Sequence, residues 1–240
     1  MRALIISDIH ANASALQCVL ASAGEVDEVW CLGDVMGYGP DPNECVDILQ
    51  NIPKLVCLQG NHDAAAIGHL PLGGFNAEAR SSIEWMRESL TENSLSFLKT
   101  LSLREEVHAV TLVHASPRQP VLEYLLDTYS ARENFDHFQT DFCFVGHTHV
   151  PVIFSLSDGA VRLEIPQPNT EFELKSRCIV NPGSVGQPRD RDPRAAFAIF
   201  DIETKVWDYR RVEYDVRGVQ ERMLAAELPD RHIARLVSGW

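Results

Sequence analysis

The sequence predicts an α/β fold, and three observations carry that prediction. Short apolar runs alternate with segments of helical period through the first 63 residues. Residues 64–105 then lose strand character and show helical spacing with a Gly/Pro-rich break. From residue 108 onward short apolar runs recur at close intervals, separated by turn formers, as in a second sheet.

The first strand is "RALIIS" (2–7). Leu16, Val19, Leu20 and Ala23 then fall at helical spacing over 12–24, with Asn12 or Ser14 as cap and Gly24 as stop. "EVWCLG" (28–33) is a second strand, and 41–52 a second helix with Asp41 as N-cap and Pro42 in its first turn. "KLVCLQG" (54–60) closes a βαβαβ unit, which implies parallel strands and right-handed crossovers. Residues 76–90 and 93–101 read as helices and 68–75 as a loop, so 64–105 is expected to be a helical insertion in one domain spanning 1–240. Later strands are expected at 108–114, 142–147, 151–156, 160–165, 178–183, 195–202 and 206–215, together forming a mixed or antiparallel second sheet. The tail 216–238 reads as helical, interrupted near Pro229.

Composition excludes several function classes. Hydrophobic residues make up 45 % of the chain, enough for a large core, yet no run approaches 18 apolar residues. The apolar stretch before Ser7 is too short for a signal-peptide core, which points to a cytoplasmic protein. A net charge of −13 argues against nonspecific nucleic-acid binding, which needs a basic surface. The six cysteines contain no C-x-x-C pair and read as free thiols in a reducing compartment.

The polar residues fall where the strands stop. The first strand ends in Asp8, with His10 two residues on; the second ends in Asp34, the third in Asn61 and His62. The strand at 108–114 ends in His114, and that at 142–147 in His147, with His149 following. In a parallel α/β sheet the carboxyl ends of the strands share one edge, and ligands bind there. One such residue is a common helix cap or a structural histidine, and His69, His108, His137 and His232 are read as structural. Carboxylates and imidazoles crowded on one edge are different. They need a cation to hold them, and borderline metals accept that mixed donor set.

"DIH" (8–10), "GD" (33–34), "GNHD" (60–63), "VH" (113–114) and "GHTH" (146–149), in this order, resemble the five motifs of the calcineurin-like metallophosphoesterases. "NPGSVGQPR" (181–189) is similar to a loop of the small bacterial and archaeal members, whereas Val113 stands where the fourth motif usually has Gly. The resemblance implies a four-layer α/β/β/α sandwich: two mixed sheets flanked by helices. It implies one metal on Asp8, His10, Asp34 and His149, and a second on Asp34, Asn61, His114 and His147, bridged by Asp34. Two divalent transition-metal ions are then expected, Mn2+ first, with Fe, Co, Ni or Zn as alternatives. Against two carboxylates they leave the site positive, which suits phosphate.

The expected activity is hydrolysis of a phosphate mono- or diester by a metal-bound hydroxide. The substrate would be small, with a nucleotide or dinucleoside polyphosphate among the candidates. His62 would donate a proton to the leaving oxygen, and Asp63 would hold the His62 ring. Tyr38 and Phe75 are candidates to stack on a substrate ring, and Arg189 to grip phosphate. The insertion loop 68–75 would overhang the site, with Gly73 and Gly74 as hinges. The alternatives are a silent metal-binding scaffold for protein partners, as in the retromer member of this superfamily, and a DNA-processing nuclease, which the acidic charge disfavours. No membrane partner is expected, and the sequence leaves the oligomeric state open.

Overall fold

The computed structural model describes residues 1–175 and 177–240. It begins with β1 (Arg2–Ile6), α1 (Ala13–Ala23), β2 (Glu28–Cys31), α2 (Pro42–Gln50) and β3 (Leu55–Cys57), and the three strands are parallel. Asn12 caps α1, its side-chain oxygen accepting from the Ala15 N–H at 3.0 Å. Asp41 does not cap α2 with its side chain. Its carboxylate instead accepts from the Arg222 guanidinium at 2.8 and 2.9 Å, a contact that sequence spacing cannot foresee.

Three helices follow: α3 (Asn61–Ala66), α4 (Ala77–Ser89) and α5 (Glu92–Lys99), with a 3-10 turn at Leu72–Gly74. The helical segment ends earlier than the sequence suggests. β4 (Arg104–Val107) turns through His108 and Ala109, both at positive φ, and pairs antiparallel with β5 (Val110–Val113). β4 is a sheet edge, so its charged "REEV" lacks the apolar alternation of an interior strand. Beyond it lie α6 (Thr128–Asn134), β6 (Phe142–Phe144), β7 (Val152–Ser157), β8 (Ala160–Glu164), β9 (Thr170–Glu173), β10 (Cys178–Asn181), β11 (Ala195–Asp201) and β12 (Val206–Val212). The chain closes on α7 (Val216–Ala225) and α8 (Asp230–Ser238).

Two mixed six-stranded sheets result, ordered β3-β2-β1-β11-β12-β9 and β4-β5-β6-β10-β7-β8. This corrects the expectation that every late strand joins a second sheet. The βαβαβ unit leaves one edge of β1 open, and β11 fills it antiparallel, pairing Leu4 with Ile199. An open edge of unpaired N–H and C=O groups is a template for whichever strand returns to it. Periodicity identifies a strand without saying which edge it fills.

The layers follow from alternation along the strands. Ala3 and Ile5 of β1 face the second sheet, where Phe144 meets Phe200 at 5.1 Å and Trp207 at 4.8 Å between ring centres. Leu4 and Ile6 face outward onto Leu16 and Val19 of α1. On the far side, Cys143 and Val145 pack on Ala131 of α6 and on Phe135 just after it. The result is helices, sheet, sheet, helices. Val219 and Met223 of α7 pack with Ile233 and Leu236 of α8, and Trp85 of α4 joins them, which brings the C-terminal helix over the edge where the strands end. Among the described residues no helix is long and apolar enough to cross a membrane.

Candidate metal centre

The loops leaving β1, β2 and β6 are wound unusually tightly. Asp8, His10, Asp34, His147 and His149 all take positive φ, between 49° and 66°. Each non-glycine residue held there costs on the order of 1 kcal/mol or more, so the surroundings must enforce it. The loops enforce it on one another. The Asp8 N–H donates to the Gly33 carbonyl, His10 N–H to Asp34 O and Gly146 N–H to His114 O, at 2.7 to 3.0 Å. Glycines allow this approach: a Cβ at Gly60 would run into the Asp34 carboxylate, and one at Gly37 into the His10 ring.

The 181–189 loop braces the same edge. Ser184 Oγ and the Gly186 N–H both donate to the Asp8 carbonyl, and Asn181 Nδ2 donates to Gly146 O.

These constraints gather the seven sequence-marked residues into one buried patch. His10 Nε2 lies 3.0 Å from His149 Nε2 and 3.7 Å from both Asp8 Oδ1 and Asp34 Oδ2; His149 Nε2 is 3.3 Å from Asp8 Oδ1. Beside them, His114 Nε2 is 3.2 Å from Asn61 Oδ1, 3.2 Å from His147 Nδ1 and 3.4 Å from Asp34 Oδ2. Asp34 Oδ2 therefore faces both groups, while its Oδ1 accepts the His62 N–H at 2.9 Å.

The hydrogen-bond partners behind the rings decide what the front atoms are. His10 Nδ1 faces the Met36 carbonyl at 3.0 Å, His149 Nδ1 the Gln187 carbonyl at 2.6 Å and His114 Nδ1 the Leu32 carbonyl at 3.0 Å. A carbonyl only accepts, so each Nδ1 carries a proton and turns Nε2 forward. Burial holds His10 and His149 well below the ordinary histidine range, hence neutral. Two bare lone pairs then face each other at 3.0 Å, with the unpartnered Asp8 Oδ1 between them. Nothing but a cation makes that arrangement favourable, and 3.0–3.7 Å is the spacing of ligands around an ion at ~2.1 Å.

Electrostatics agree. Burial raises the Asp8 carboxyl to about 6, and the neighbouring Asp34 adds to the rise. Burial pushes Asp34 the same way, but facing His114, His62 and His10 outweigh it and hold it below the usual carboxylate range. Burial opposes protonation of His114, yet Asp34 prevails and raises the ring to about 9.

The remaining predicted residues divide. His62 lies edge-on to His10 at 4.9 Å and to Phe75 at 5.2 Å, with Nδ1 unpartnered, and burial lowers it to about 4. Asp63 does not hold that ring: its two oxygens accept the Met36 and Gly60 N–H groups at 2.8 and 2.9 Å, so it pins backbone. Tyr38 is 7 % exposed, with its ring against His10, His62 and His232 at 4.4–4.7 Å. The ring still lines the cavity, but mostly buried among these three it offers little area for a substrate ring to stack on. Its hydroxyl accepts from Arg189 Nη2 at 3.2 Å. Arg189 does reach the cavity over the centre, as do Asn61, His62 and His147. That cavity measures about 540 Å3, and Leu70, Pro71, Gly74 and Phe75 from the 68–75 loop form part of its wall.

Three residues escaped the sequence reading. Tyr124 stacks on His147 at 4.0 Å, and Arg235 of α8 lines the cavity. His232, which the sequence marks as structural, is 1 % exposed, with no hydrogen-bond partner on either ring nitrogen among the described residues. No local pattern marks them: α8, which carries His232 and Arg235, reaches the site only through tertiary packing, and Tyr124 lies in the irregular segment between β5 and α6.

The model of the calcineurin-like phosphoesterase superfamily domain matches residues 1–205. The chain belongs to that superfamily. An uncharacterized protein of Methanocaldococcus jannaschii is 34 % identical over 98 % of this chain and 97 % of its own length. The crystal structure of a metallophosphoesterase from Sphaerobacter thermophilus shares 43 % identity, covers 100 % of this chain and 99 % of its own, and superposes with a TM-score of 0.92. A hypothetical protein from Pyrococcus horikoshii shows the same fold at 20 % identity and TM-score 0.81, covering 100 % of this chain and 98 % of its own. Symmetrical bis(5'-nucleosyl)-tetraphosphatase of Pseudomonas entomophila is 28 % identical over 125 residues, which is 48 % of this chain and 42 % of that protein. Members of the superfamily use divalent metals, and the Asp/His groups described here could hold them.

Proposed function

We propose that this superfamily member hydrolyses small phosphate esters at a centre of two divalent transition-metal ions, manganese first. The observation that carries the reading is the convergence of proton-free donors: Asp8 Oδ1, Asp34 Oδ2 and the Nε2 atoms of His10 and His149. These four would hold one ion; Asp34, Asn61, His114 and His147 would hold the other. Five of the seven ligands are imidazoles or an amide, which favours Mn, Fe, Co, Ni or Zn over Mg or Ca. When bound, such ions polarise phosphoryl oxygens and acidify water.

The chain's own groups do the rest. Arg189 grips substrate phosphate charge from the cavity wall. His62, which lines the cavity, protonates the departing oxygen. Its low proton affinity in the free protein rises when a phosphate dianion sits beside it. Asp63 is a positioning residue that fixes the Gly60–Met36 corner on which Asn61 and His62 stand. The likeness to symmetrical bis(5'-nucleosyl)-tetraphosphatases favours nucleotide-type esters. A silent scaffold would have no use for a histidine aimed into the cavity.

General-acid help is worth ~10²–10⁴-fold where the leaving group needs the proton. His62→Ala should cost that much on an alkyl or nucleoside ester, far less on a nitrophenyl ester, and leave metal content near wild type. Equal losses on both esters, with metals intact, would mean that His62 positions phosphate rather than donating a proton.

A further inference from the structure

The cavity over the metal centre carries a charge balance opposite to that of the protein. The chain has 34 acids against 21 Lys and Arg, yet the cavity wall holds Arg189 and Arg235 and no carboxylate. Other guanidinium groups face carboxylates, as Arg211 does Asp190 and Arg222 does Asp41, or backbone carbonyls, as Arg87 does Ala65 O. Arg189 donates to the Tyr38 hydroxyl at 3.2 Å and to Gln187 Oε1 at 3.3 Å, makes no ion pair among the described residues, and has a buried Nε without a partner there. Arg235 makes no ion pair among the described residues. Burial and the nearby Arg189 and Arg231 push its proton affinity down and outweigh the opposing Tyr38 and Glu78.

Two half-buried cations on one wall, held by different elements, exceed what the scissile phosphate requires beside two metal ions. The cavity of about 540 Å3 has room for a nucleotide-sized molecule. Leu70, Phe75 and Leu122 give it apolar walls for an organic linker. We propose that Arg189 and Arg235 form a second anion subsite, and that the preferred substrate is a phosphate ester carrying a second phosphate apart from the scissile one. The proposal rests on the hydrolase reading for which phosphate is cleaved, but not for whether the subsite binds. α8 would then be a specificity element, its packing on Trp85 setting where Arg235 stands.

The test compares a nucleoside 3',5'-bisphosphate with the matching 5'-monophosphate. Wild-type enzyme should show a KM about tenfold or more lower for the bisphosphate. Arg235→Gln should raise the bisphosphate KM about ten- to hundredfold more than the monophosphate KM, the scale of a lost charge-assisted contact. Arg235→Lys should recover part of the difference, because charge remains while the guanidinium fork is lost. In calorimetry on the full chain freed of metal by chelation, the bisphosphate should bind and Arg235→Gln should weaken it by a similar factor. Hydrolysis of both esters with no bisphosphate preference, or equal effects of Arg235→Gln on both, would overturn the subsite and leave the hydrolase reading standing. Arg235-dependent binding without hydrolysis of any ester would support the subsite and overturn the hydrolase reading instead.

Discussion

Phe144 and Asp8 lie at the same depth in this fold, both without solvent exposure, in surroundings of opposite character. Phe144 sits between the sheets against Trp30, Phe200 and Trp207, with ring centres 4.8–6.3 Å apart. Around it, apart from the unpartnered Trp207 indole N–H, burial is of apolar surface and needs nothing further. Asp8 sits where the strands end, at positive φ, with one oxygen unpartnered and two imidazole lone pairs in front of it. The first region stabilises the fold by itself; the second works against it until a cation arrives. Functional edges are where a fold tolerates such conflict, because the ligand resolves it.

The comparison can be broken most forcefully from the core. Phe144→Ala should lower unfolding free energy by about 3–5 kcal/mol, as expected for truncating a buried aromatic. The stabilisation gained on adding Mn2+ should stay as in wild type, since no donor moves. Denaturant titrations with and without metal check both statements. A core variant that lost the metal-dependent gain would show that the two regions are not separable.

Asp8→Asn sharpens the contrast from the other side. Removing a buried charge should make the metal-free protein more stable by about 3 kcal/mol at most, while the gain on adding metal shrinks. The sign follows from the raised carboxyl: the folded state holds its proton to about 6, the unfolded chain only to 3.8. Ionisation therefore costs the fold as pH rises through that window. The advantage of Asn should be full above pH 6 and absent near pH 3.8. A less stable metal-free variant at pH 7 would contradict the conflict assigned to this edge.

How much of this was legible in the sequence depends on how local the signal was. Asp8, Asp34, Asn61, His114 and His147 follow apolar strands directly, so a one-dimensional pattern sufficed to place them on one edge. The edge filled by β11 was not legible, because strand period carries no partner. Charged β4 hid its strand character for a related reason: an edge strand meets solvent and has no need to alternate. Asp63 stood beside His62 in sequence, but a helical turn aimed it at the Met36 and Gly60 amides. Tyr38 and His232 are 194 positions apart and meet only because α8 folds back over the site.

His232 yields the smallest expected effect. Burial lowers its ring to about 4 from 6.5. The unfolded chain then binds the extra proton first, and stability falls as pH drops below 6.5 toward 4. Between pH 7 and pH 5 the loss from this residue should be about 2 kcal/mol at most. His232→Phe should flatten that part of the pH–stability profile, read from urea midpoints at the two pH values. An unchanged slope would mean that the ring is satisfied after all, as the sequence alone suggested.

The central claim is that the strand-end donors form one two-ion centre joined by Asp34, and elemental analysis tests it most directly. Gently purified wild-type protein should carry transition metal approaching two ions per chain. Asp8→Ala should retain about one, and Asp34→Ala should fall below that, because the shared oxygen serves both positions. A fully active protein free of metal, or an Asp34→Ala variant still holding two ions, would contradict it.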